Sequence, residues 1–443
     1  MIRKKNLSAE MPTPPSLSKN HGLFKTSSLL FIALIIANLF NYLFQLTMGR
    51  LLSVKTFGEL NAFSAIFMIL TIPFMSSTNY LAKNIAHNCT TDEIQKTKAL
   101  IASSLKIHLL IALLIIIYGV TLSHYMANYL KIEQILPVIL LFVSISTYII
   151  IPLNTGILQG FQMFGMLAFI SSAPFLFKYV FCVLAVIVDT GLSGIMVGLT
   201  LSSIITGCIT FIPIKKTLNK ATYPPNTTNT TNTTKTTHTT DKTYIIYIIA
   251  TNLAFAIITQ SDIVIAKYYF TPQEAGIFSS ASVIAKIVMN LPAAIVLALF
   301  PMVASGKSKN ESTLPYLIEA LVITILLSGG CTLVFYLFPD ILVFVFFGKK
   351  FITASPLIGT YSLSMLPVAL TMIIINYNMA RGDKTFVFVI VFFAIVELIG
   401  FVLYHNSVQS LIKVILFSSI FCNVALFTLL ALQYYLYGKT KKD

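Results

Sequence analysis

Ser27-Ser-Leu-Leu-Phe-Ile-Ala-Leu-Ile-Ile-Ala-Asn-Leu-Phe-Asn-Tyr-Leu-Phe-Gln-Leu-Thr-Met48 carries no charge, and Gly49-Arg50 closes it. About 20 apolar residues in helical form cross the hydrocarbon core of a bilayer. The stretch is longer than a signal-peptide core and a second apolar block follows at once, so it reads as an uncleaved first membrane helix. Blocks of this kind recur along the chain. Hydrophobic residue types make up 56% of it and charged types only 10%, with a mean hydropathy of +0.86. Soluble domains carry about 25% charged residues, so this chain has too few to cover a water-facing surface. The short alternating segments of a membrane barrel are absent. In lipid the backbone must satisfy its own hydrogen bonds, which makes each block a helix.

Working outward from the first block gives twelve predicted spans: 27–48, 60–82, 99–122, 134–158, 167–188, 192–214, 244–266, 275–303, 315–338, 353–380, 385–404 and 411–437. The expected fold is all-α and polytopic. The tight connections between spans five and six, and between ten and eleven, predict antiparallel neighbours in each case. With the N-terminus inside, 20 of the 30 Lys and Arg fall in inside segments, 6 in outside segments and 4 within spans. That asymmetry puts both termini in the cytoplasm, and it accounts for the net charge of +15 without nucleic-acid binding. Cys89, Cys182, Cys208, Cys331 and Cys422 are scattered, with neither disulfide-framework nor metal-ligand spacing.

Residues 215–243 form the longest connection, rich in Asn-Thr-Thr repeats, and read as a flexible cytoplasmic linker. The predicted organisation is a cytoplasmic tail (1–26), a six-helix bundle (27–214), the linker, a second six-helix bundle (244–437) and a short cytoplasmic tail (438–443). The two bundles resemble each other. Gly49 to Gly58 after span one matches Ala266 to Gly276 after span seven, at an offset near 218. Asn154, Gly160 and Phe164 recur as Asn376, Gly382 and Phe386, at an offset of 222. Since six is even, the repeat is parallel, and such repeats are typical of transporters that rock two lobes about a central site.

Several motifs, in order along nearly the whole chain, carry a family resemblance: Phe57-Gly-Glu-Leu60, Leu158-Gln-Gly-Phe-Gln-Met-Phe164, Ser261-Asp-Ile-Val-Ile-Ala-Lys267, Glu274-Ala-Gly-Ile-Phe-Ser-Ser280, Leu299-Phe-Pro301 and Phe346-Phe-Gly-Lys-Lys-Phe351 with Ala354 and Pro356. They resemble the polysaccharide biosynthesis membrane proteins, Wzx-type oligosaccharide flippases of the multidrug/oligosaccharidyl-lipid/polysaccharide (MOP) exporter superfamily. The resemblance implies two pseudosymmetric six-helix bundles around a central cavity. Its implied cargo is an undecaprenyl-pyrophosphate-linked oligosaccharide, such as an O-antigen or capsule repeat unit. It further implies a bacterial inner membrane as location, and a polysaccharide polymerase and chain-length regulator as partners beside membrane lipid.

A pyrophosphate headgroup cannot cross hydrocarbon bare, so cations deep in spans are the first candidates. Lys178 in span five and Lys286 in span eight lie near mid-span, where Lys costs about 2.5–3.5 kcal/mol to insert. Lys106 in span three is placed to snorkel. Arg50 and Arg381 sit at span ends, where they could meet a headgroup at the cavity mouth or anchor the interface. Together with the two deep lysines these form the candidate substrate-binding set. Lys413 reads as an interfacial, snorkelling residue. Asp262 in span seven and Glu397 in span eleven are candidates for ion coupling, or for pairing with a lysine. Pro73, Pro152, Pro174, Pro292 and Pro367 fall within spans and mark candidate kinks. Neither a nucleophile motif, a phosphate-binding glycine loop nor a metal cluster appears, so the sequence predicts no enzyme, cofactor or metal site. The competing expectation is a drug or cation antiporter of the same superfamily, which would favour cavity acids over cavity bases.

Overall fold

The computed structural model describes residues 21–90, 94–220, 242–309 and 311–440, and those residues form helices with no strand among them. Twelve helical segments among them are long and apolar enough to cross a membrane, in the order the apolar blocks predict. This is a multi-pass membrane protein. Most of the 215–243 linker and of the N-terminal tail, and residues 441–443, lie outside the described residues.

The N-terminal lobe contains α1 (His21–Leu51), α2 (Val54–Thr90), α3 (Ile94–Tyr129), α4 (Leu136–Tyr148), α5 (Ile150–Gly160), α6 (Phe164–Ile187) and α7 (Gly191–Lys220). The C-terminal lobe contains α8 (Lys242–Tyr269), α9 (Pro272–Asn290), α10 (Ala293–Ser308), α11 (Leu314–Leu337), α12 (Pro339–Phe347), α13 (Ser355–Arg381), α14 (Phe386–Leu403) and α15 (Val408–Thr440). A 3-10 turn, Lys349–Ala354, leads into α13. Several helices outrun their predicted spans, α2 and α3 most of all, because helical pairing continues past the hydrocarbon into polar sequence that hydropathy does not count.

Two spans are broken. Span four divides at Ile149, three residues before Pro152, and span eight divides at Leu291–Pro292. Proline has no N–H to donate and its ring crowds the carbonyl four residues back. Pro73, Pro174 and Pro367 instead sit inside continuous helices. One element departs from the sequence reading altogether. Residues 339–347, expected to be connection, form α12, with Pro339 at its first turn and too few residues to span.

The expected pairing of spans ten and eleven is also corrected. Whereas α6 and α7 do pack together, α14 packs mainly on α8 and α15 rather than on α13. Gly382, left-handed at φ 69°, ends α13, and residues 382–385 then carry the chain across. Four residues reach about 13 Å, more than one helix-to-helix spacing.

The repeat is visible in the helix boundaries. The first helices of the lobes end at Leu51 and Tyr269, and the next begin at Val54 and Pro272, both at the offset of 218. Phe164 and Phe386 begin α6 and α14, at the offset of 222. The matched glycines Gly58 and Gly276 face each other across the lobe boundary. A Cβ on Gly58 would lie 2.8 Å from the Gly276 Cα, and one on Gly276 only 2.0 Å from the Val54 carbonyl oxygen. Glycine here is a requirement of close backbone approach.

Candidate functional site

The deep charges sort into two environments. In the C-terminal lobe, α8, α9, α13, α14 and α15 bring one buried cluster together. Lys286 on α9 donates to Asp262 Oδ1 on α8 at 3.2 Å. The Tyr361 hydroxyl on α13 donates to Asp262 Oδ2 and lies 2.9 Å from Ser282 Oγ. Glu397 on α14 accepts a 2.6 Å hydrogen bond from Ser418 on α15 at Oε2, while its Oε1 has no partner. Asp262 and Glu397 are each only 1% exposed. One lysine thus stands among two carboxylates. A buried carboxylate with half of its acceptor capacity unmet is costly unless it takes up positive charge.

The N-terminal lobe holds the opposite arrangement. Lys178 on α6 donates to Asn41 Oδ1 on α1 at 2.8 Å, and its ammonium lies 4.2 Å from the centre of the Phe44 ring. Among the described residues no carboxylate pairs with it. Its charge is met only by a neutral amide oxygen and an aromatic face, both weaker than a counter-ion. The adjoining Tyr42 reaches Asn290 of the other lobe, so this part of α1 lies at the lobe boundary.

Of the remaining candidates, Lys106 is exposed on α3 beside exposed Ile107, Leu109 and Leu110, away from both clusters. Arg381 pairs with Asp383 at 3.4 Å and lies over the Tyr377 and Tyr434 rings, near the α13–α14 turn. Arg50, at the other end of the bundle, donates to the Val345 and Phe346 carbonyls of the opposite lobe. It belongs to a set of contacts that sequence reasoning missed. Lys350 donates back to the Arg50 carbonyl at 2.7 Å and the Leu52 carbonyl at 2.5 Å, and Lys131 to the Phe270 carbonyl at 3.0 Å. Each cation meets the carbonyl end of a helix in the other lobe, where the helix dipole favours positive charge. Beneath them Lys267 and Glu59 pair across the lobes at 3.5 Å, with Lys267 fully buried. Phe57 packs on Phe347 and Phe351 with ring centres 5.3 and 5.4 Å away. The lobes are therefore closed together at the Arg50 end. The resemblance motifs around Glu59, Lys267 and Lys350 mark these positions in the sequence, but nothing there shows that they meet. At the rim Lys55 also contacts Glu133, and its ammonium holds that carboxyl below the usual carboxylate range.

A sequence profile of the family described as "Polysaccharide biosynthesis protein" matches residues 23–307, well over half of the chain. The chain belongs to that polysaccharide biosynthesis family. No curated protein sequence matches it significantly. Solved structures share its fold at low identity. A multidrug resistance MATE family transporter of the MOP superfamily, in an inward-facing conformation, superposes with a TM-score of 0.71 at 12% identity, covering 91% of this chain and 96% of that one. The lipid II flippase MurJ, in an inward closed conformation, gives 0.65 at 11% identity over 92% and 87%. A MOP superfamily transporter from Pyrococcus furiosus, whose binding pocket is described as of reversed polarity, gives 0.60 at 13% over 92% and 96%. This family member thus has the two-lobed MOP fold, as its motifs and repeat lead one to expect.

Proposed function

We propose that the protein is a flippase that carries an undecaprenyl-pyrophosphate-linked oligosaccharide from the inner to the outer leaflet of a bacterial cytoplasmic membrane, by alternating access between its two lobes. The observation that carries this reading is Lys178. A half-buried cation near mid-membrane without a carboxylate partner is expensive, and such residues mark substrate paths. An anionic headgroup supplies the missing counter-charge. Lys286 stands second in the path because Asp262 already answers its charge. Arg50, Arg381 and Lys106 are the cations the headgroup meets nearer the two membrane surfaces.

Asp262 and Glu397 are the proposed ion-coupling pair. Uptake of a proton or monovalent cation at Glu397 balances the C-terminal cluster, and release unbalances it. Both termini face the cytoplasm on this reading, and a polymerase and chain-length regulator take over the product outside. The C-terminal carboxylates support one alternative, a cation antiporter of MATE type.

Complementation of a flippase-deficient bacterium that makes the native glycan tests the proposal. At matched membrane expression, wild type restores surface polysaccharide and Lys178→Ala does not. Failure of well-expressed wild type, joined to export of cationic dyes, selects the antiporter. Restoration by Lys178→Ala removes that residue from the path.

A further inference from the structure

Lys413, interfacial by its place in the sequence, stands apart from the deep charges. It lies five residues into α15, about 8 Å from the helix start. It is exposed, and it makes no hydrogen bond, ion pair or ring contact among the described residues. Charged residues inside membrane spans nearly always face a bundle interior or water. Lys413 instead opens into a slot of about 770 Å³ between α14 and α15. Phe392, Phe417 and Phe421 line the slot and are 56–60% exposed, so its open side faces the bilayer. Gly400 lets the two helices close on its floor, since a Cβ there would come 2.8 Å from Val414 Cγ1.

The slot has a polar end and an apolar length. His405 stacks on Tyr269 at 3.8 Å, which places the α14–α15 turn at the Arg50 end of the molecule. Tyr404, Ser410 and Lys413 line that end of the slot. From Tyr404 to Phe392 it runs along twelve residues of α14, about 18 Å. That is close to the roughly 15 Å of hydrocarbon in one leaflet.

We propose that this slot is a binding site for one anionic phospholipid, its acyl chain along the α14–α15 groove and its phosphate on Lys413. The charge fits: an unanswered ammonium at headgroup level attracts an anionic lipid by about 1 kcal/mol, roughly fivefold in occupancy. The occupant is a resident lipid rather than the transported one, because α14 and α15 pack mainly on α8, α13 and each other, away from the lobe boundary. The site is independent of the flippase reading. It also abuts the buried charge cluster. Ser418 lines the slot and donates to Glu397, so a bound chain covers the hydroxyl that ties α15 to that carboxylate.

Native mass spectrometry of the full chain tests this, with phosphatidylglycerol and phosphatidylcholine supplied in equal amounts in mild detergent. Wild type is expected to retain one phosphatidylglycerol in preference to phosphatidylcholine. Lys413→Gln, an exposed change that leaves packing intact, lowers that occupancy about fivefold, and Ala425→Trp, which fills the slot, lowers it without touching the charge. Lys349→Ala, a cation at the same end but outside the slot, leaves it unchanged. Equal retention of both lipids, wild-type retention by Lys413→Gln, or a polyprenyl phosphate found in place of the phospholipid overturns the proposal.

Discussion

At the scale of single residues, the charges within the spans divide by whether the protein itself answers them. Asp262 answers Lys286, so removing one partner strands the other. Breaking a buried pair costs about 3–5 kcal/mol. Asp262→Ala should therefore lower thermal stability in detergent markedly, while Asp262→Ala combined with Lys286→Met should recover part of the loss, because the stranded lysine is then gone and only Glu397 remains of the cluster. A double variant as unstable as the single would show that the Tyr361 bond, not the ion pair, sets the cost. Lys178 predicts the reverse pattern. Lys178→Gln removes a desolvated charge with no counter-ion, so stability should hold or rise while polysaccharide export falls at least tenfold. The residue types of both clusters are legible in sequence, because a charge inside an apolar run stands out. A lysine–carboxylate pairing is among the readings they allow, but the neutral partners are not legible. Asn41 lies 137 residues from Lys178, and Tyr361 lies 99 from Asp262. Apolar periodicity says that a helix spans but fixes neither its rotation nor which helix faces it.

Among the elements, what hydropathy reads well is the apolar run, and all twelve runs became spanning segments. What it cannot read is a change of direction within a run or a helix too short to cross. Pro152 and Pro292 break their helices, while Pro73, Pro174 and Pro367 do not, although all five sit in similar apolar sequence. The outcome depends on whether neighbouring helices supply the lost backbone bond, which is a tertiary fact. The nine-residue α12 was hidden for the complementary reason, since its apolar residues suit a loop, a strand or a helix equally. The repeat was more informative than either, because it picked out glycines that meet. Gly276→Val tests this. Its Cβ would fall 2.0 Å from the Val54 carbonyl oxygen, backbone that cannot rotate away. The α2–α9 contact must then separate at the Arg50 end. Spin labels placed on α1 and α12 should report a longer distance there, whereas Ala281→Val, a buried position of α9 five residues further along, should leave it shorter than Gly276→Val does. Equal distances would mean that the close approach does not hold the lobes together.

For the whole molecule, the contacts across the lobes at the Arg50 end have one design. Arg50 caps α12 and Lys350 caps α1, each cation reaching from its own lobe to the helix end of the other. Lys131 does the same for α8. A cation at a partly exposed helix C-terminus contributes about 0.3–1 kcal/mol. Summed over the pair Arg50 and Lys350, the closed arrangement gains up to about 2 kcal/mol, enough to change a two-state ratio as much as thirtyfold. These contacts cannot persist if the lobes part at this end, so they weigh directly on the equilibrium that alternating access requires. Arg50→Ala with Lys350→Ala should thus open the Arg50 end without unfolding the lobes. Met48, fully buried beside the Phe347 region, offers the readout. In a background with the native cysteines replaced, Met48→Cys should react slowly with a membrane-impermeant maleimide, and the double substitution should speed that reaction about ten- to thirtyfold. High salt should produce part of the same acceleration in the Met48→Cys protein that keeps Arg50 and Lys350, since exposed charge contacts are screened and aromatic packing is not. An unchanged rate in both conditions would assign closure to the Phe57, Phe347 and Phe351 contacts and to the Gly58–Gly276 approach, leaving the cations as anchors at the membrane surface.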